Sequence, residues 1–177
     1  QINCAADQLT ELKLPAGVQR LLCENNALTA LDVSGCTALT YLKCANNQLA
    51  TLHLGANTAL STLIVSNNHL PSLDLSANTA LTAVTLGQQT ITVNATQQDN
   101  VFYAPVGGLA ADGVVYQDTE KYENGNFVTA DYALMQNGFT YEYATGSDLA
   151  GAMTVDVTVV KDFYQVRFYG DETKKVL

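Results

Sequence analysis

The fold of this chain is decided by the stretch LIVSNNHLPSLDLSANTAL, residues 63–81, because its pattern occurs twice more at intervals of 21 residues. The earlier copies are LKCANNQLATLHLGANTAL, residues 42–60, and LLCENNALTALDVSGCTAL, residues 21–39. A unit of this length cannot bury its leucines alone, so neighbouring copies must stack to build one continuous core. The repeats therefore predict a solenoid, in which function belongs to a surface rather than to an enclosed pocket.

Each copy contains two short segments with alternating apolar residues. The first reads LxC or LxV, which predicts a strand whose apolar side chains point into the core. The second reads LxV or LxL, and we expect another strand on the opposite face of the solenoid. The connecting residues are too short and too rich in Asn, Gly and Thr for a stable helix. The pattern thus predicts two parallel sheets packed back to back.

Asparagine recurs at fixed positions after each segment. A buried asparagine at a bend is expected to bond backbone N–H and C=O groups that cannot be left unsatisfied inside the protein. We expect Asn46, which precedes one of these positions, to face solvent and to contribute little. The predicted structural ladders consist of Asn26, Asn47 and Asn68 after the first segment, and of Asn57 and Asn78 after the second.

The repeat pattern weakens at both ends. Residues 1–20 match the pattern only loosely. Near the end of the repeat region, Gln89 stands where the earlier copies have an asparagine. We expect the solenoid to occupy residues 1–93. Residues 94–162 carry runs rich in Val, Tyr, Phe and Thr separated by Gly, Asn and Asp, which predicts an antiparallel β-sandwich capping the open end. We expect residues 163–177 to begin a further, truncated β repeat or to add a terminal strand.

The LxxLxLxxNxL pattern of residues 1–93 resembles the leucine-rich repeat family. The phrases NNxL and ANTAL, with a cysteine on the strand, are similar to secreted repeat proteins of the Bacteroides type and, more loosely, to the internalins of Listeria. The later phrases YEYATG and MTVDVTV are similar to the immunoglobulin-like domain that follows such repeats. The resemblance implies a mainly β, secreted or cell-surface protein without catalytic residues or a cofactor.

The net charge of −9 argues against a nucleic-acid partner, because an acidic surface is repelled by phosphates. No apolar stretch approaches the ~18 residues of a membrane-spanning helix, so we expect no membrane insertion. The chain begins at Gln1 with no initiator Met and no leader-like apolar run, and we expect a processed chain or a fragment of a larger surface protein. We also expect a monomer.

The cysteines Cys4, Cys23, Cys36 and Cys44 match no CxxC metal-binding spacing. Cys4, Cys23 and Cys44 occupy the same inward-facing position in successive turns, and Val65 occupies it in the next turn. We therefore expect buried thiols in this inward column that behave as small hydrophobic residues. Disulfides are the less favoured alternative: stacked strands bring the Cα atoms within range, but parallel side chains make a bridge awkward.

Catalytic and metal sites have little support in the sequence. His53 and His69 are expected on the solvated surface, and inward-facing cysteines lack the exposure that a nucleophile needs. We therefore predict no enzyme and no metal site. A calcium ion at oxygen ligands in the second domain is the alternative, although acidic solvated loops are common. The residues concerned are Asp112, Asp118, Glu120, Glu123 and Asn124.

The outward residues of the first strands differ from turn to turn, whereas the second segments repeat small polar residues. Since Leu42 and Cys44 must point into the core, their neighbours Tyr41 and Lys43 must point out. Apolar residues beside a Tyr and an Arg are typical of interface hot spots. We predict that a protein or glycan binds this concave face; the alternatives are a structural spacer that presents other domains, or merely exposed side chains. The predicted contact residues are Arg20, Leu22, Tyr41, Lys43, Thr62 and Ile64.

Overall fold

The structure, a computed structural model, describes residues 1–115 and 121–161. The repeats form one five-stranded parallel sheet in which the strands lie side by side in chain order. From the second strand onward, the paired residues advance by one 21-residue period, as from Leu21 to Leu42 to Leu63. The strands are β1 Ile2–Asn3, β2 Arg20–Leu22, β3 Tyr41–Lys43, β4 Thr62–Ile64 and β5 Ala83–Thr85.

The second segment of each turn forms no strand within residues 1–93, all of which the structure describes, so the prediction of a second parallel sheet is wrong. No helix occurs there either. The chain instead forms turns, in which the Asn57 N–H donates to the Leu54 carbonyl at 2.8 Å. The side chain of Asn78 donates to the same carbonyl at 3.0 Å. Both acceptor positions of this oxygen are used, which leaves none for pairing with a neighbouring strand.

The second part of the chain forms a seven-stranded sheet with the order β8-β11-β12-β6-β7-β10-β9. Its strands are β6 Gln89–Gln98, β7 Val101–Pro105, β8 Val114–Val115, β9 Lys121–Glu123, β10 Asn126–Thr129, β11 Phe139–Ala144 and β12 Ala152–Lys161. A short helix, α1 Tyr132–Asn137, precedes β11. β6 and β12 pair in parallel, so the prediction of a purely antiparallel sandwich is wrong for this pair.

This sheet folds over so that its two halves face each other. The ring of Phe127 on β10 lies 4.8 Å, centroid to centroid, from Tyr141 on β11. In a flat sheet the four inter-strand spacings between β10 and β11 would separate them by ~19 Å. β6 joins the halves, because residues 89–95 pair with β12 and residues 96–98 pair with β7. The immunoglobulin-like assignment stays a prediction, and the expected repeat at residues 163–177 lies outside the described residues.

The solenoid and the folded sheet share one hydrophobic core. The Tyr141 hydroxyl donates to the Pro71 carbonyl at 2.6 Å, and the Leu75 N–H donates to the Thr145 carbonyl at 2.8 Å. Burial raises the pKa of Tyr141, so this hydroxyl remains a donor. At the end of the last turn Gly87 has φ +56°, and any Cβ there would clash with the side chain of Ser66. The last turn therefore passes into β6 only through glycine.

Side-chain amides, half-buried at Asn26 and buried at the other positions, link successive turns at the bends that follow β2, β3, β4 and β5. The Asn47 Nδ2 donates to the Cys23 carbonyl of the preceding turn at 3.0 Å and to the Cys44 carbonyl of its own turn at 3.1 Å. Its Oδ1 accepts from the Leu28 N–H at 3.1 Å. Gln89 occupies the same position at the last turn, where its Oε1 accepts from a backbone N–H in the same way. We call this set, Asn26, Asn47, Asn68 and Gln89, the inner ladder.

A second ladder follows the second segment. The Asn57 Nδ2 donates to the carbonyls of Val33 and Cys36, and Asn78 repeats the arrangement one turn later. At the equivalent position of the first copy, the Cys36 Sγ lies 3.6 Å from the Pro15 carbonyl. Among the described residues, the buried Oδ1 atoms of Asn57 and Asn78 have no hydrogen-bond partner.

An outer ladder was missed from the sequence. Asn25, Asn46 and Asn67 have φ values of 58°, 55° and 56°, in the left-handed region that asparagine tolerates better than most residues. The Asn46 Nδ2 donates to the Asn25 Oδ1 at 2.7 Å, and Asn67 donates to Asn46 in the same way. Asn46 is exposed, as expected, and these bonds and its backbone conformation are features that the expectation of a small contribution did not include.

We expect Asn47→Ala to lower the free energy of unfolding by about 1–3 kcal/mol, because it leaves buried backbone groups of two turns without partners. The matched control is Gln48→Ala, a change at the exposed neighbouring side chain, which should stay within about 0.5 kcal/mol of the wild type. Urea denaturation followed by circular dichroism measures both. Equal unfolding midpoints for the two variants would contradict the role given to the inner ladder.

Candidate functional site

The outward side chains of the parallel sheet form three rows across its turns. The alternation is clear because Leu21, Cys23, Leu42 and Cys44 are buried in the core. Row one contains Arg20, Tyr41, Thr62 and Ala83. Row two contains Leu22, Lys43, Ile64 and Thr85. Row three follows the strand ends and contains Glu24, Ala45, Ser66 and Gly87. The structure places the six predicted contact residues in rows one and two, with Arg20 exposed and the other five half-buried.

Arg20 and Tyr41 form a stacked pair in row one. The guanidinium carbon of Arg20 lies 4.1 Å from the centroid of the Tyr41 ring. A cation at this distance over an aromatic face is held by the negative charge density of the ring. Two long side chains are thereby ordered before any ligand arrives, although Arg20 itself is exposed.

Lys43 and Glu24 form an ion pair between rows two and three. The Lys43 Nζ lies 2.8 Å from the Glu24 Oε1, and Glu24 is only 9% exposed. The other carboxylate oxygen, Oε2, is buried and has no hydrogen-bond partner among the described residues. A buried acceptor without a donor is energetically unfavourable. This oxygen is therefore the least satisfied polar atom on the concave face.

The environment of Glu24 keeps its carboxyl charged. Burial would raise its pKa, but the hydrogen bond from Lys43, a hydrogen bond from the backbone of Glu24 itself and the charge of Lys43 outweigh burial and hold the pKa below its usual value. The same hydrogen bond raises the pKa of Lys43. Glu24 was not among the predicted contact residues. The available signal was that the other members of its row are Ala, Ser and Gly.

Two thiols of the inward cysteine column, Cys23 and Cys44, are poorly suited to nucleophilic chemistry. Cys23 and Cys44 are buried and Cys4 is half-buried, and all are free thiols. Burial raises the pKa of Cys23 to about 12 and raises that of Cys44 as well. A thiol in this state is neither ionised at neutral pH nor accessible to a substrate.

Among the residues that the structure describes, the remaining candidates do not assemble into a site. His53 and His69 are both exposed, and the Nδ1–H of His69 donates to the Thr90 carbonyl at 2.6 Å. Of the possible calcium ligands, Asp118 and Glu120 lie outside the described residues. Within residues 1–115 and 121–161, no three His, Cys, Asp or Glu side chains lie close enough together to hold a metal ion. The same ranges contain no helix of the length and apolarity needed to cross a membrane.

We expect Lys43→Met to raise the pKa of Glu24, because the carboxyl stays buried while its cationic partner is lost. The variant should also be less stable than the wild type at neutral pH, since it leaves a buried charge unpaired. In the wild type, the stabilisation by this pair is lost as pH falls through the lowered pKa of Glu24, and at the alkaline end as pH rises through the raised pKa of Lys43. NMR titration of the glutamate carboxyl carbons reports the shift.

The control for Lys43→Met is Lys13→Met, which breaks the pair of Lys13 with Glu11. These side chains are 90% and 73% exposed, so little stability should be lost. A Glu24 pKa that stays low in Lys43→Met would show that Lys43 does not determine it.

Comparison with known proteins supports the fold assignment. No family model matches the chain, and no curated protein matches its sequence. Among solved structures, it is similar to the functional domain of InlJ from Listeria monocytogenes, which is described as including a cysteine ladder. The match covers 82% of this chain with a TM-score of 0.54 and 22% sequence identity, and the chain spans 34% of the length of that domain. The chain therefore has an internalin-like leucine-rich repeat fold.

Proposed function

We propose that this chain is a non-enzymatic recognition module of a secreted or cell-surface protein, and that it binds a protein or glycan on its concave face. The observation that carries the proposal is the group formed by Arg20, Tyr41, Lys43 and Glu24, in which charged and aromatic side chains contact one another across neighbouring strands. The three basic residues of the repeats are Lys13, Arg20 and Lys43, and two of them belong to this group.

The ordered state of these side chains favours binding. A flexible Arg or Lys loses rotamer freedom when a ligand fixes it, which weakens association. Arg20 is already held by the Tyr41 ring and Lys43 by the Glu24 carboxylate, so part of this loss occurs during folding. The half-buried Leu22 and Ile64 add apolar surface on either side of Lys43.

The wider biological assignment rests on the fold and on sequence resemblance. The internalin-like fold supports a surface or secreted protein. We further propose a repeat protein of the Bacteroides type whose second unit is an immunoglobulin-like domain that caps the solenoid, and that acts as a monomer. The shared hydrophobic core of the two units supports the capping role.

A structural spacer is the second candidate function. The inner, second and outer ladders tie every full turn to its neighbour through side-chain amides, which suits a rigid element that holds other domains apart. The role of a spacer does not require the contact between Arg20 and Tyr41, and it does not require a nearly buried Glu24. The concave group therefore favours recognition.

Binding is tested with the wild type on an oligosaccharide array and against an array of immobilised cell-surface proteins. We expect Tyr41→Ala and Ile64→Asp each to weaken binding of any ligand found by about tenfold or more, a loss of about 1.4 kcal/mol. The matched control is Thr51→Asp, which places the same charge on the exposed second segment and should bind like the wild type.

Unchanged binding of both concave variants would exclude the concave face as the site. The absence of any ligand in both screens would favour the spacer. Melting curves of all variants distinguish lost binding from lost folding.

A further inference from the structure

We propose that the occupant of the concave face is an uncharged oligosaccharide rather than a protein or an anionic ligand. The inference rests on the proposed recognition function and adds the chemical class of the ligand. Three properties of the face support it: its area, the pairing of its charges, and the unpartnered oxygen of Glu24.

The strand face is too small for an ordinary protein interface. Its five strands are two or three residues long. With row three included, the face is about five residues wide, so at ~3.3 Å per residue and ~4.8 Å between strands it measures roughly 16 by 19 Å, or about 300 Å². A standard protein interface covers about 800 Å² on each partner. A short chain of sugar rings matches this face, whereas a protein would need more than twice its area.

The charges of the face are already paired with each other. The Lys43 ammonium is bound to Glu24, and the Arg20 guanidinium lies on the Tyr41 ring. An anionic ligand would have to compete with Glu24 for Lys43 and would approach a chain of net charge −9. A cationic ligand would be repelled by Arg20 and Lys43. A ligand without net charge avoids both penalties.

Hydroxyl groups complement the polar atoms that remain. The Glu24 Oε2 has no donor among the described residues, while Arg20 and Lys43 carry N–H groups that can donate to a ligand. A hydroxyl donates one hydrogen bond and accepts others, so adjacent hydroxyls of one sugar can satisfy both kinds of atom. Ala45, which follows Glu24 in row three, has a small side chain.

The apolar side chains of row two suit the same ligand. Leu22 and Ile64 are half-buried and lie on either side of Lys43, whose aliphatic stem completes an apolar strip while its ammonium reaches Glu24. The carbon-bound hydrogens of a sugar ring pack against such a strip while its hydroxyls face rows one and three.

The experiment probes the full chain with an array that pairs neutral oligosaccharides with their sialylated and sulfated counterparts. The strongest neutral binder is then titrated by calorimetry. We expect Glu24→Gln to raise its Kd by about tenfold or more, because the amide replaces one acceptor oxygen with a donor at nearly the same size. Glu11→Gln is the matched control, since Glu11 also pairs with a lysine but lies exposed, and its Kd should equal that of the wild type.

Salt provides a second readout of ligand charge. Binding of an uncharged sugar should change less than about twofold between 0.05 and 0.5 M NaCl, whereas an anionic ligand should lose affinity as salt screens the charges. A preference for sialylated or sulfated glycans, or an unchanged Kd in Glu24→Gln, would overturn the inference.

The inference and the proposed function can fail separately. If no glycan binds but a protein does, and Ile64→Asp abolishes that binding, the concave face remains the recognition surface and only the ligand class is wrong. If neither a glycan nor a protein depends on concave residues, both are wrong.

Discussion

The structure of the repeats depends on the bonding of backbone groups at each bend by buried side-chain amides. A strand of three residues forms few hydrogen bonds with its neighbours, and backbone bonds between successive turns continue only as far as the bend, as from the Asn46 N–H to the Ser66 carbonyl. The N–H and C=O groups of the bend remain inside, where water cannot reach them. Asn47 satisfies carbonyls of two successive turns and an N–H of the preceding one, so one side chain fixes both the bend and the stacking.

The same constraint shapes the concave face. The inner ladder residues Asn26, Asn47 and Asn68 each contact the carbonyl of the row-three residue two positions earlier, at 3.3 to 3.4 Å. Asn26 thereby holds the backbone of Glu24, whose side chain pairs with Lys43 on the next strand. The position of the charged group on the surface is thus tied to the half-buried amide of Asn26.

The sequence was sufficient for features determined within one turn. Leucines at a fixed period place the strands, and Gln89 could be recognised in the ladder position because it can form the bonds of Asn. The prediction of strands in the second segments was wrong because the alternation of apolar residues indicates which side chains are buried. It does not indicate which backbone carbonyls already accept hydrogen bonds. The Leu54 carbonyl accepts from a turn N–H and from an asparagine of the next turn, a competition that alternation does not reveal.

Features that join distant segments were harder to predict. The parallel pairing of β6 with β12 brings together residues more than sixty positions apart, and no local pattern encodes it. The repeated Asn-Asn pairs contained a usable signal for the outer ladder, since asparagine tolerates positive φ. Glu24 is the one charged residue in a row that otherwise contains Ala45, Ser66 and Gly87, and this contrast was a comparable signal for the concave site. Its missing hydrogen-bond partner required coordinates.

Native-state hydrogen exchange tests most directly whether side-chain amides hold the turns together. The N–H groups of Leu28, Leu49 and Leu70 donate only to side-chain oxygens of the inner ladder, at 3.1, 3.0 and 3.3 Å. They should exchange as slowly as the N–H groups of Cys23 and Cys44, which donate to backbone carbonyls of the next turn. Exchange of the three leucine amides at rates near those of an unfolded peptide, with the cysteine amides still protected, would contradict the central role of the ladder.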